Sequence, residues 1–381
     1  VLTRLRDAGP QSRIQLAEHL DVSRTAIAAE LDRLTALRLV EEIGPAGFRG
    51  GRSATIDISG SVRFVGIAIG ATSVSVAVTD GRLQVLALHR TECDVRQGPE
   101  PVLDLATKLS RKLLLGSGVD KPLGVGLGVP GPVDFGRGIA VSPPIMPKWD
   151  RYPVRDRLAG QFDCPVAMDN DVNVMALGEQ LAGVASTVDN FLFVKIGTGI
   201  GCGVVANGQL YRGMDGCAGD IGHIRVPECD VPCLCGNTGC LEASFGGAAL
   251  GREALAAARS GRSPLLRELL ERNGTLTAAE VGQAVSAGDA AAMQLVRDGG
   301  RRVGEVLTGL VSFFNPSLIV LGGGLTKLGH ILLAEMRSVI YRRSLPLATR
   351  NLPITMSDAG QRAGVIGAAR LVSDQVYRLP R

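Results

Sequence analysis

Four side chains between positions 223 and 240 carry the donor atoms of a closed metal site: His223, Cys233, Cys235 and Cys240. One imidazole nitrogen and three sulfurs form a full tetrahedral set of the kind zinc prefers where its role is structural. The string Cys233-Leu-Cys-Gly-Asn-Thr-Gly-Cys240 puts glycines at 236 and 239, where a tight reversal must bring Cys240 back to the ion. Half of the chain's eight cysteines fall within these eighteen residues, which argues against scattered buried thiols. Zinc is therefore the expected cofactor, bound in a loop spanning 223–240, with Cys229 as the substitute should one ligand be displaced.

The elements that must hold such a loop belong to a large chain. Its 381 residues exceed what one hydrophobic core usually serves, so two or three domains are expected. Hydrophobic residues make up 45%, and 50 glycines supply turns. No run of 18 apolar residues and no basic leader with an apolar core are seen, which predicts a soluble cytoplasmic protein with no membrane partner. The remaining cysteines are scattered, as expected of reduced thiols. A net charge of +4 is small for this length and neither demands nor excludes nucleic acid.

An internal repeat organises the middle of the chain. Residues 65–78 and 192–205 each read as an apolar strand, a small-residue turn and a second β-rich strand, with the two copies about 130 residues apart. Each turn leaves backbone amides uncovered, and two such lobes face each other across a cleft. The pattern resembles the two-lobed α/β architecture of actin, Hsp70 and hexokinase, a duplicated RNase H-like fold. In that architecture the two turns embrace the phosphates of ATP. Leu321-Gly-Gly-Gly324, a strand end running into a glycine turn, stands where it places its adenosine contact. Between the hairpins, Met168-Asp-Asn-Asp171-Val-Asn173 leads into a helical run over 174–181. Such a string caps a helix, since its side chains accept from free amides there.

The front of the chain has a different period. Residues 2–8 have helical apolar spacing, Gly9-Pro10 breaks it, and Ser12 begins a second helix. Ser23 caps a third, longer helix with Ile27, Leu31, Leu34 and Leu37 on one face. Strands over 39–43 and 54–58 then flank a wing at 44–53, giving a winged helix-turn-helix over residues 1–60. Ser23, Arg24 and Thr25 open the recognition helix and are the expected base-reading positions. Eight arginines and eight acids cancel in this segment, so the bulk charge of a DNA binder is absent. The basic character is local, in Arg49-Gly-Gly-Arg52, and suits a narrow minor groove.

Ala218-Gly-Asp-Ile-Gly-His223 and the cysteine string ending at Glu242 together resemble the signature of the ROK family of repressors, open reading frames and sugar kinases. The resemblance continues through Gly128-Val-Pro-Gly131-Pro-Val-Asp134 and Asn170-Asp171, and covers essentially the whole chain. It implies a sugar in the cleft of a 61–381 sensor, contacted by Gly131, Asn170, Asp171, Asp220, His223 and Glu242. In the family's kinases the residue matched by Asp171 takes the proton from the hydroxyl being phosphorylated. Those kinases also carry an acid two positions before the first glycine turn, where this chain has Ala68, and commonly a lysine where it has Ser73. Phosphoryl transfer depends mainly on positioning and charge neutralisation, so these departures strike at turnover. Asp220 replaces a usual Glu and shortens that corner by one methylene.

The resemblance therefore implies a sugar-responsive DNA-binding regulator, a repressor by expectation, in which Asp171 is a vestigial base and no catalytic residue is assigned. Its implied partners are operator DNA, a sugar or sugar-phosphate effector and further copies of the chain, as a homodimer or dimer of dimers. An ATP-dependent, glucokinase-like enzyme with a DNA-binding extension is the alternative. A regulator that answers to a protein partner is a third.

Overall fold

In the computed structural model, which describes residues 1–44, 55–227 and 229–378, two of the amino-terminal helices start where side-chain acceptors stand. Ser12 and Gln15 form a reciprocal capping box at the head of helix Arg13–Leu20, and the Ser23 hydroxyl accepts from the Ala26 amide at the head of Arg24–Ala36. Asp21, in the left-handed region, makes the turn between them. With Leu2–Ala8 they bury Leu5, Leu16, Ile27, Leu31 and Leu34 in one cluster. Strands Gln11–Ser12, Thr55–Ile58 and Val40–Ile43 form an antiparallel sheet beside them, with Thr55–Ile58 in the middle. Arg49 and Arg52 lie outside the described residues.

The body contains the same sheet twice. In the first lobe Arg63–Ile69, Ser73–Asp80 and Val85–Glu92 form an antiparallel meander, and Gly124–Val129 and Val166–Asn170 add in parallel on the other side. In the second, Phe191–Ile196, Ile200–Ala206 and Gln209–Tyr211 form the meander, and Leu318–Gly322 and Ile354–Met356 add in parallel. This is the duplicated lobe of the actin, Hsp70 and hexokinase architecture. Helices Pro99–Gly116 and Val154–Phe162 cover the outer face of the first sheet. Helices between Gly247 and Arg343 build the larger core against the second.

Two helices cross between the lobes. Asp171–Ala182 packs on the second sheet, Arg362–Arg378 packs on the first, and the two pack on each other. The approach to the first sheet is close because Gly126 lies under the helix: a Cβ there would stand 1.7 Å from the Ala368 carbonyl oxygen. The carboxyl-terminal helix also holds the amino-terminal unit. Arg6, its side chain fully buried, donates to Ser373 at 2.6 Å and pairs with Asp374 at 2.6 Å. Among the described residues no helix is long and apolar enough to cross a membrane.

Candidate ligand cleft and metal centre

A cavity of about 930 Å³ opens between the lobes, and Gly131, Asn170, Asp171, Asp220, His223 and Glu242 all line it. The turn Gly70–Ser73 lines it from the first lobe, and Gly197–Gly199 and Gly324 line it from the second. Asn170, Asp171, Lys195 and Glu242 bring polar side chains to this cavity between the two glycine turns, which suits a hydroxyl-rich small molecule.

Asp171 is the first residue of helix Asp171–Ala182, placed by the strand Val166–Asn170 that runs directly into it. Its carboxylate accepts a hydrogen bond from the ammonium of Lys195, which reaches across from the second-lobe strand. Asn170 caps the helix: its Oδ1 accepts from the Val172 amide at 2.8 Å, and its Nδ2 donates to the Gly131 carbonyl at 2.9 Å. Both ends of this amide are thus engaged within the protein, and its structural part is to fix the Gly131 turn beside Asp171. Asp169, one residue earlier, is buried and accepts from Asn173 Nδ2 at 2.8 Å and Arg212 Nε at 2.7 Å. Arg212 comes from the second lobe and stacks over the Phe135 ring of the first, 4.1 Å from its centroid.

Glu242, at the start of helix Leu241–Phe245, folds under the second glycine turn and accepts from the Ile200 amide at 3.1 Å. Burial pushes its carboxyl up, opposed by the Ile200 N–H and the charges of His223 and Lys195. A side chain at 199 would collide with it, since a Cβ there would sit 2.7 Å from Glu242 Oε2.

The metal-type ligands converge next to this corner. The donor atoms of His223, Cys233, Cys235 and Cys240 all lie within 4.8 Å of one another. Cys235 and Cys240 sulfurs are 3.7 Å apart, and the Cys233 sulfur is 3.6 Å from His223 Nδ1. A tetrahedron with metal–sulfur bonds of about 2.3 Å has sulfur–sulfur edges of roughly 3.8 Å, so the donors fit a zinc-sized ion. Burial raises the Cys233 thiol and pushes that of Cys240 up to about 12, whereas the Asn237 amide holds Cys235 down. The other face of the imidazole turns to the cleft, with His223 Nε2 3.8 Å from Asp220 Oδ1. Cys229 is outside this set and packs in the apolar core of the lobe.

Ala68 lies near the end of Arg63–Ile69, paired opposite Ser75. Its methyl faces the crossing helix, 3.0 Å from where a Cβ on Gly364 would stand. Ser23, Arg24 and Thr25 are exposed at the head of Arg24–Ala36, as a groove-entering helix requires.

Residues 64–375 match the ROK family. The chain belongs to the ROK family. Glucokinase of Halalkalibacterium halodurans is 32% identical over 82% of this chain and 95% of its own length. The xylose repressor of Caldicellulosiruptor bescii is 27% identical over 100% of this chain and 96% of its own. A crystal structure of a ROK family transcriptional regulator, a homologue of the E. coli MLC protein, superposes with a TM-score of 0.84 at 23% identity, covering 99% of this chain and 95% of that one.

Within this ROK chain the sequence reading passed over Lys195 and Arg212. Lys195 left a signal, a lone charge in the apolar run Phe191-Leu-Phe-Val-Lys-Ile196. Arg212 left none, because its partner Asp169 is met only when separate elements approach.

Proposed function

We propose that this ROK chain is a sugar-responsive transcriptional regulator, with a winged helix-turn-helix over residues 1–60 that binds operator DNA and a 61–381 sensor that binds the sugar without phosphorylating it. One observation carries this: an exposed recognition helix belongs to a unit fused, through buried Arg6, to the helix that crosses between the lobes. Likeness to a xylose repressor along the whole chain supports it. A sugar at Asp171 bears on the head of helix Asp171–Ala182, that helix packs on Arg362–Arg378, and the latter holds Arg6. A change of cleft angle thus has a rigid route to the spacing of two recognition helices in a dimer, which must sit roughly 34–36 Å apart to enter successive major-groove turns. His223, Cys233, Cys235 and Cys240 would hold one structural zinc, which fixes the loop that presents His223 and Glu242.

Selection of sites from random duplex DNA, using the zinc-loaded full chain, tests this. Two-fold symmetric half-sites should be enriched, binding should change on adding sugar, and replacing Arg24 and Thr25 by Ala should erode the sequence preference. No enrichment overturns it. The kinase alternative has its own support in the glucokinase relative and in a cavity that extends to Gly324. A coupled ADP-release assay over hexoses, N-acetylhexosamines and pentoses separates the two, since about 1 turnover per second or faster marks a working kinase.

A further inference from the structure

Lys195 is out of keeping with its strand. Phe191, Leu192, Phe193, Val194 and Ile196 around it are buried, while its own side chain retains 17% exposure and lines the cavity. An ammonium is kept in such a place only against a partner or a ligand, because stripping its water is costly. The structure commits one of its three N–H donors to Asp171, whose side chain is 9% exposed. Glu242 is also within reach of its charge. A carboxylate and an ammonium in contact present an acceptor and a donor side by side, at the roughly 2.7–2.9 Å of a charge-assisted hydrogen bond. Neighbouring hydroxyls on a sugar ring present the complementary pair at a similar spacing.

We propose that Lys195 is a specificity-determining ligand residue of this cleft, pairing with Asp171 to select a sugar that carries two adjacent free hydroxyls at that corner. One hydroxyl donates its hydrogen to the Asp171 carboxylate, and the oxygen of its neighbour accepts from Lys195 Nζ. This rests on the sugar-binding reading above and adds what the sugar must look like. A sugar that lacks the second hydroxyl leaves the ammonium short of an acceptor in a desolvated site, and discrimination of that kind is strong.

The experiment is calorimetric titration of the full chain with D-glucose, D-xylose and N-acetyl-D-glucosamine, followed by the monodeoxy derivatives of whichever binds. Lys195→Met should weaken binding of the parent sugar at least tenfold. One deoxy derivative should bind the wild type at least tenfold more weakly than its parent yet show no such penalty in K195M. That loss of coupling is the signature of direct contact, because a merely structural lysine would leave the deoxy penalty in place. If K195M does not fold, K195L, which likewise lacks a donor, carries the same comparison. Equal affinity in wild type and variant, or an undiminished deoxy penalty, overturns the role of Lys195 while the sugar reading stands. If the wild type binds none of the three sugars, both fall.

Discussion

Two residues before Gly70 stands Ala68, and two residues before Gly197 stands Lys195. The hairpins that carry them are alike, each an antiparallel pair closed by a short turn, with Ala68 opposite Ser75 and Lys195 opposite Gly201. Yet one packs a methyl group against Gly364 of the crossing helix, and the other gives the cleft an ammonium that takes hold of Asp171. The frame is held by ladder hydrogen bonds and by apolar side chains on the packed faces, neither of which depends on the residue at this one position. A duplicated fold therefore need not duplicate chemistry. The first lobe brings turn amides, small hydroxyls and Arg90, whereas the second brings Lys195, Glu242 and the cysteine cluster behind them.

The cluster is where this asymmetry breaks most readily. Cys240→Ser should abolish stoichiometric zinc by elemental analysis and cost about 4–5 kcal/mol or more in denaturant unfolding, since loss of a structural metal ranks with the largest single-residue effects. Among the described residues the first lobe has no such cluster, so its sheet should keep its hydrogen-exchange protection while 223–240 loses its own.

A smaller contrast lies under the crossing helices. Gly126→Ala drives a methyl to 1.7 Å from the Ala368 carbonyl oxygen, while Gly203→Ala in the second lobe meets the Ala176 methyl at 2.7 Å and the Val172 carbonyl oxygen at 3.0 Å. Overpacking costs about 1–3 kcal/mol, and the higher figure is expected for the rigid backbone contact at 126. Thermal unfolding of the two variants should rank them in that order, and the reverse would mean that helix Arg362–Arg378 yields more easily than its packing suggests.

The least effect is expected at Ala68 itself. Ala68→Asp returns a carboxylate to the first hairpin, but Ser73 still stands in place of lysine and Lys195 still holds Asp171. Coupled ADP release should stay well below about 1 per second. Turnover at that rate would show that one methyl group separates this chain from an enzyme.

Much of this was legible because it is local. Caps at Ser12 and Ser23, the two hairpins, the strand running into Gly322–Gly324 and the cysteine spacing are each written within eighteen residues or fewer. Asn170 is legible in both parts: it caps the helix and it lines the cavity. What the string does not show is the partner of its Nδ2, the Gly131 carbonyl 39 residues away, which ties the cap to the first-lobe turn.

The sequence by itself determined the repeat of lobes, the amino-terminal helices and the convergent set of His223, Cys233, Cys235 and Cys240, because periodicity, capping and donor spacing act over short stretches of chain. Only the tertiary structure decided which charges meet. Lys195 and Asp171 are 24 residues apart, Arg212 and Asp169 are 43 apart, and Arg6 and Ser373 are 367 apart. Such pairs form when sheets and helices pack in three dimensions, and the energy that brings them together is the burial of apolar faces around them, which carries no mark at the charged residue itself.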